Sequence, residues 1–356
     1  MADGGAALDN VRDRVGHALA QFLASQRSVL LSAGDELLPA LDAVTGLAAS
    51  GKRLRAAFCY WGWRGAGGPD IPGIITAAAA LELLHAGALV HDDVMDGSDT
   101  RRGSPSLHRR FEAQREDMGW RGAAGSFGTG AAIIAGDLLL TWTGEMFRAS
   151  GLPPDALTRG QRVLDLMRTE VMAGQYLDLV AQAASDSSLQ RALRVVEFKT
   201  AKYTIERPLH LGAALAAQVP DAVFQAYSDY GLPLGLAFQL RDDILGVFGD
   251  PDLTGKPAGD DLREGKQTVL IAITRARASL AEAAVIDRAL GNPSLGPPGL
   301  AALRAVISES GALAECERMI EQQVSQALAS LQRAPVTSEA RGALAELAIA
   351  ATARLD

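Results

Sequence analysis

Apolar residues recur along this chain at three- and four-residue spacing, the period of a helix that buries one face. No convincing set of alternating apolar and polar positions suggests strands. The pattern predicts helical stretches over residues 11–48, broken near Gln26-Arg27, and over 51–64. It continues with helices over 74–95, 131–150, 154–183, 189–218, 222–247 and 267–290, and with two or three amphipathic helices to the end. Turn chemistry separates them at Gly65-Ala-Gly-Gly-Pro69, at Gly151-Leu-Pro-Pro154 and at Asn292-Pro-Ser-Leu-Gly-Pro-Pro-Gly299. Residues 97–128 and 250–265 are polar and glycine-bearing and read as loops, the first with a short helix inside. Residues 1–10 are expected to be disordered. No composition shift marks a boundary, so the expected fold is all-α, a single-domain helical bundle over 1–356.

Composition narrows the class. The 356 residues are 48% hydrophobic and 21% charged, enough for a large core and unlike a disordered chain. The longest apolar stretch, 71–90, contains Pro72, Glu82 and His85, which fits a buried helix better than a membrane span, and no transmembrane segment is expected. The opening Met-Ala-Asp-Gly-Gly lacks the basic and apolar blocks of a signal peptide, so the expected location is cytoplasmic. Cys59 and Cys316 form no metal spacing and are expected as core thiols. A net charge of -8 with 5% aromatics argues against a nucleic-acid partner.

Two acidic clusters carry the candidate chemistry, each ending an apolar helical run. The first is His91-Asp92-Asp93-Val94-Met95-Asp96, followed by Arg101-Arg102; the second is Gln239-Leu240-Arg241-Asp242-Asp243-Ile244-Leu245-Gly246. Carboxylates at such places are costly unless they meet cations or water. Asp92 and Asp96 are four apart and share a helix face, with His85 two turns below. Hard oxygen pairs of this kind suit Mg2+, which completes its shell with water and phosphate oxygens. In the second cluster Asp242 is the better ligand candidate, because the fifth position is Gly246 rather than an acid. Cations recur nearby: Gly51-Lys52-Arg53-Leu54-Arg55 opens a helix, where anions bind readily, although alone it also reads as a solvated basic face. Two carboxylate ends facing each other would clamp metal ions above an apolar shaft.

With these motifs the chain resembles the trans-isoprenyl diphosphate synthase, or polyprenyl synthetase, family. The resemblance runs from Gly51 to Lys266 through Gly51-Lys-Arg-Leu-Arg55, Glu82-Leu-Leu-His85, both acidic clusters, Arg101-Arg102-Gly103, Gly174-Gln175 with Asp178, and Lys199-Thr200. Phe238-Gln239, Gly255-Lys256-Pro-Ala-Gly-Asp260-Asp261 and Lys266-Gln-Thr268 complete it. Its style is that of geranylgeranyl diphosphate synthases of high-GC bacteria. The resemblance implies an isoprenoid-synthase-type bundle around a central cavity, a homodimer, and head-to-tail condensation of isopentenyl diphosphate with an allylic diphosphate. It implies that Lys52, Arg55, His85 and Arg102 hold isopentenyl diphosphate. It implies three Mg2+ ions on Asp92, Asp96 and Asp242. Arg101, Lys199, Gln239, Lys256 and Lys266 would hold the allylic diphosphate, with Thr200 and Gln175 near the developing carbocation.

Product length is less determined. Ala88 and Gly87, four and five residues before Asp92, are small where relatives that stop early carry an aromatic, and Leu84 is a deeper candidate for the stop. Motif style favours geranylgeranyl diphosphate; the missing aromatic favours twenty-five carbons or more; farnesyl diphosphate is a further alternative. A class I terpene cyclase would need a second metal motif that the sequence lacks, and would not need the Gly51–Arg55 site. A non-catalytic partner subunit fits poorly with two acidic regions and every expected lysine.

Overall fold

The computed structural model describes residues 3–185, 187–216, 219–250 and 259–353, with side chains described from Asp9 onward. They form helices and one two-stranded ribbon, grouped into two compact units: Met1–Gly160 with Leu211–Gln218, and Gln161–His210 with Val219–Asp356.

The first unit is built on its most apolar helix. It contains α1 (Asp3–Ala33), α2 (Leu38–Ala49), α3 (Leu54–Gly65), α4 (Pro72–Asp96), the strands β1 (Thr100–Arg101) and β2 (Ser104–Pro105), α5 (Leu107–Asp117) and α6 (Ala124–Arg148). Pro72 stands in the first turn of α4, where its missing N–H costs nothing. Gly97, in the left-handed conformation, closes α4. The alanine run Ala77–Ala80 with Leu81 and Leu83 is fully buried, and its small side chains let α1, α3 and α6 pack closely around α4.

Three elements depart from the periodicity. α1 begins at Asp3, inside the stretch expected to be disordered, and runs unbroken through Gln26-Arg27, because Gln26 is buried with its amide donating to Glu145 of α6 at 2.7 Å. The break falls instead after Ala33, at Gly34 and the 3₁₀ turn Asp35–Leu37. α6 starts seven residues early, at Ala124, and Gly128 inside it lets α5 come close: a Cβ there would strike the His108 carbonyl.

The second unit holds most of α7 (Pro154–Ala183), α8 (Leu189–Val195), a π-helical segment Val196–Glu206, the start of α9 (Arg207–Ala216) and α10 (Asp221–Phe248). It continues with α11 (Asp260–Glu264), α12 (Val269–Arg277), α13 (Leu280–Ala289), α14 (Pro297–Glu309), α15 (Ala312–Arg333) and α16 (Ser338–Thr352). Its core gathers Leu240, Leu262, Leu270, Ile286, Leu303 and Ile307. Arg241 of α10 makes a two-pronged bond to Glu317 of α15, both arms 2.8 Å, which ties these helices through a mostly buried charge pair. The helix expected over 189–218 thus widens into π geometry at its centre. The one expected over 267–290 divides at Ala278-Ser279, where a capping box forms: the Ser279 amide donates to Glu282 at 2.7 Å and the Ser279 hydroxyl accepts from the Glu282 amide.

Among the described residues two helices are long and apolar enough to cross a membrane, α4 and α6; 72% of the α4 window is buried within the protein, but only 28% of the α6 window.

Candidate active site

In the first unit a tight turn brings the cations together. Gly51 has φ 118° and Arg53 φ 56°, so the chain turns sharply before α3 begins. That φ favours glycine at 51, and a Cβ there would also push on the Arg102 guanidinium, 2.9 Å away. Arg53 points inward: it donates to the Ala48 carbonyl at 2.6 Å and lies 3.6 Å from Glu82, whose other oxygen accepts from the Ala56 amide. This buried pair was not anticipated from the sequence, although its position inside the Gly51–Arg55 motif was a signal. It leaves Lys52 exposed and Arg55 partly exposed.

The ribbon aims two arginines apart. Arg102 and Gly103, between β1 and β2, have φ 55° and 74°, as the mirror-image two-residue hairpin turn requires. Arg102 reaches back to the Ser50 carbonyl and hydroxyl, each at 2.7 Å. Arg101 turns to the acidic helix end, where its Nε meets Asp93 at 2.8 Å and its Nη2 contacts Asp93 and, at 3.4 Å, Asp92. Asp93, rotated off the Asp92–Asp96 face, is thereby consumed in holding Arg101. The charge of these arginines converges on His85: burial first, then Arg55, Arg102, Arg101 and Arg53, hold its pKa well below the usual histidine value.

On α4, His85, Ala88, Leu89, Asp92 and Asp96 form one partly exposed stripe, whereas Leu84 is fully buried. Gly87 is placed differently from the expectation that it opens a channel. A Cβ there would lie 3.1 Å from the Gly136 carbonyl and 3.2 Å from Leu139 Cβ, so its smallness serves the packing of α4 on α6. Of the three chain-length candidates, Ala88 alone shares the stripe of Asp92.

In the second unit the π-helical segment carries Lys199 and Thr200. Gly174 and Gly235 let this wide segment lie close to α7 and α10, since a Cβ on either would run into the backbone of Lys199 or Ala201. Lys199 then bonds Asp178 at 2.7 Å, with Gln175 one turn away and partly exposed. The Thr200 hydroxyl donates to Gln239 at 2.6 Å, and the Gln239 amide donates to Asp243 at 2.8 Å and reaches Asp242 at 3.5 Å. Thr200 therefore fixes which way the Gln239 amide faces. Asp243 is 5% exposed, and burial, with Asp242 and Asp261 adding repulsion, raises its pKa well above the carboxylate range. Lys266 sits 2.8 Å from Glu264 and 3.5 Å from Asp261. Lys256 lies outside the described residues.

The donor set fits magnesium. Asp92 and Asp96 offer hard oxygens on one face of α4, and Asp242 offers them on α10. Among the described residues no three acidic, histidine or cysteine side chains gather as a closed metal cage. An ion that takes most of its shell from water and phosphate oxygens needs no such cage.

The polyprenyl synthetase family model matches residues 40–297. A geranylgeranyl pyrophosphate synthase from Corynebacterium glutamicum, solved with isoprenyl diphosphate and magnesium, is 40% identical, superposes with a TM-score of 0.94, and shares coverage of 97% of this chain and 99% of that one. The geranylgeranyl diphosphate synthase of Mycobacterium tuberculosis is 32% identical over 92% of this chain and 89% of its own. A geranylfarnesyl diphosphate synthase of Aeropyrum pernix is 33% identical over 81% of this chain and 85% of its own. Agreement of this extent, in fold and in family model together, means that the chain belongs to the polyprenyl synthetase family, as a magnesium-dependent prenyltransferase that joins isoprenyl units head to tail.

Proposed function

We propose that the chain condenses isopentenyl diphosphate with an allylic diphosphate to give geranylgeranyl diphosphate, acting as one all-helical prenyltransferase domain in the cytoplasm. The observation that supports this reading is the set of family motifs in sequence order: a cationic turn at Gly51–Arg55 in one unit, and a carboxylate-bearing helix end in each. Isopentenyl diphosphate is assigned to Lys52, Arg55, His85 and Arg102. Its allylic partner is assigned to Arg101, Lys199, Gln239, Lys256 and Lys266. Three Mg2+ ions are assigned to Asp92, Asp96 and Asp242; when bound they supply positive charge toward the departing diphosphate.

The chain's own residues do the rest. The allylic carbon–oxygen bond breaks, and the lysines and Arg101 offset the charge that builds on the diphosphate. Thr200 and Gln175 face the electron-poor carbon with oxygen dipoles. The isopentenyl double bond attacks that carbon, and a proton leaves to the released diphosphate. Water must be excluded throughout, since it would trap the cation.

A second reading, a product of twenty-five carbons or more, is favoured by Ala88 on the open stripe of α4 and by the similarity to a geranylfarnesyl diphosphate synthase. Incubating the purified protein with isopentenyl diphosphate and, separately, geranyl, farnesyl and geranylgeranyl diphosphates decides between them. Chromatography of the dephosphorylated products should show C20 as the main alcohol and no extension of the geranylgeranyl substrate. A main peak at C25 or longer establishes the second reading, and cyclised hydrocarbon defeats both.

A further inference from the structure

The two acidic clusters of this chain differ at their fifth position, which is Asp96 in the first and Gly246 in the second. The glycine does not leave that place empty. An ideal Cβ built on Gly246 would fall onto the Asp261 carboxylate, overlapping one of its oxygens and standing 2.9 Å from its Cγ. The segment that brings Asp261 is fastened to the same spot, since the Gly259 amide donates to the Gly246 carbonyl at 3.2 Å. Asp261 itself is largely buried, 3.5 Å from Lys266, which Glu264 also holds at 2.8 Å. The Lys266 amide donates to the Asp261 carbonyl at 3.0 Å, which closes the short α11.

We propose that Asp261 is the third carboxylate of the second acidic cluster, supplied by the segment after α10 in place of residue 246, and that Gly246 is kept small to admit it. As placed, the Asp261 carboxylate occupies the volume that a side chain at 246 would need, so a larger residue there would displace it. Asp261 acts as a positioning residue: it adds negative charge beside Asp242 and fastens Lys266 where the leaving diphosphate is assigned. This inference rests on the magnesium and diphosphate reading given above.

The test moves the carboxylate back. Four proteins are compared with the wild type: Gly246→Asp, Asp261→Asn, Asp261→Ala, and the exchange Gly246→Asp with Asp261→Ala. Binding of inorganic diphosphate is measured by calorimetry with saturating Mg2+, and folding by thermal melting. Each single change should weaken binding by about tenfold, the scale of one charge-assisted contact. The exchange should recover most of that loss, and Asp261→Asn should melt near the wild type because its shape is kept. Should Gly246→Asp fail to fold, the overlap is confirmed, and Asp261→Asn with the exchange decides the role of the charge. Wild-type binding by Asp261→Asn, or an exchange no better than Asp261→Ala alone, overturns the inference while leaving the function intact. Absence of Mg2+-dependent diphosphate binding by the wild type overturns the functional reading itself.

Discussion

Burial and four neighbouring guanidinium groups hold the pKa of His85 well below the ordinary histidine value. A diphosphate arriving there opposes that repulsion and raises the imidazole pKa, so binding takes up a proton. The sign follows from linkage: affinity for isopentenyl diphosphate strengthens as pH falls through the bound-state pKa, and levels off below the free-state value, which lies under the ordinary ~6.5. Calorimetry in buffers of different ionisation enthalpy near neutral pH should show the proton uptake, and His85→Gln should lose that share of it. The acidic residues predict a harsher effect. Asp92→Ala and Asp242→Ala should each lower turnover by roughly two to three orders of magnitude at saturating Mg2+, since charge stabilisation at the leaving group carries most of the barrier reduction. Near wild-type turnover in chelator-treated buffer would contradict the metal reading. At this scale the sequence showed the ordered motifs themselves but not the part each member plays. It was illegible where one residue fills another's space: nothing in Gly246 alone points to Asp261, and nothing in Arg53 alone separates it from its outward neighbours Lys52 and Arg55.

Helices were readable from apolar spacing because most bury a single face, and errors arose where a polar residue was satisfied out of sight. Gln26 looked like a break and is a buried bond to Glu145. The division before Ser279 was written in the sequence as Ser279-Leu-Ala-Glu282, a capping box that periodicity overran. The two-residue ribbon at 100–105 is too short for alternation to register. The packing of α4 on α6 also changes what a variant should do. Gly87 faces the α6 backbone, so Gly87→Phe should cost several kcal/mol, as over-packing does at its upper end (about 3 kcal/mol or more), and lower the melting temperature sharply. Ala88→Phe, on the partly exposed stripe below Asp92, should instead leave melting nearly unchanged and shorten the main product by at least one five-carbon unit. Product chromatography and thermal melting of both variants separate the effects; a shortened product from a stable Gly87→Phe protein would reverse the assignment.

At the scale of the whole molecule, the exposed apolar residues of α6 matter among the described residues. Along α6, Phe127, Ile133 and Ile134 are 38%, 43% and 63% exposed, and Trp120 packs edge-on against Phe127 just before them. The homodimer expected of the family would bury such a face, because contiguous apolar surface of this kind marks association. Ile134→Glu should therefore shift the protein from dimer to monomer at micromolar concentration in light-scattering chromatography, while the helical signal in circular dichroism stays unchanged. An unaltered dimer would place the interface on another face.

The π-helical segment Val196–Glu206 has a further consequence, one for the tolerance of this gene to length change. A wide turn is an α-helix carrying a surplus residue, so removing one residue there restores ordinary winding. The flanking helices then keep their register, while residues inside the stretch turn to another face by about 100° for the residue lost. Lys199 and Thr200 sit inside the surplus, with Asp178 and Gln239 already bonded to them from two other helices. A deletion between Val196 and Glu206 would thus detach one side of this arrangement from the other without touching any charged group. Most single deletions in solvent-facing loops of the same chain should be survivable; here even the loss of Ala201, which carries no charge, should not be.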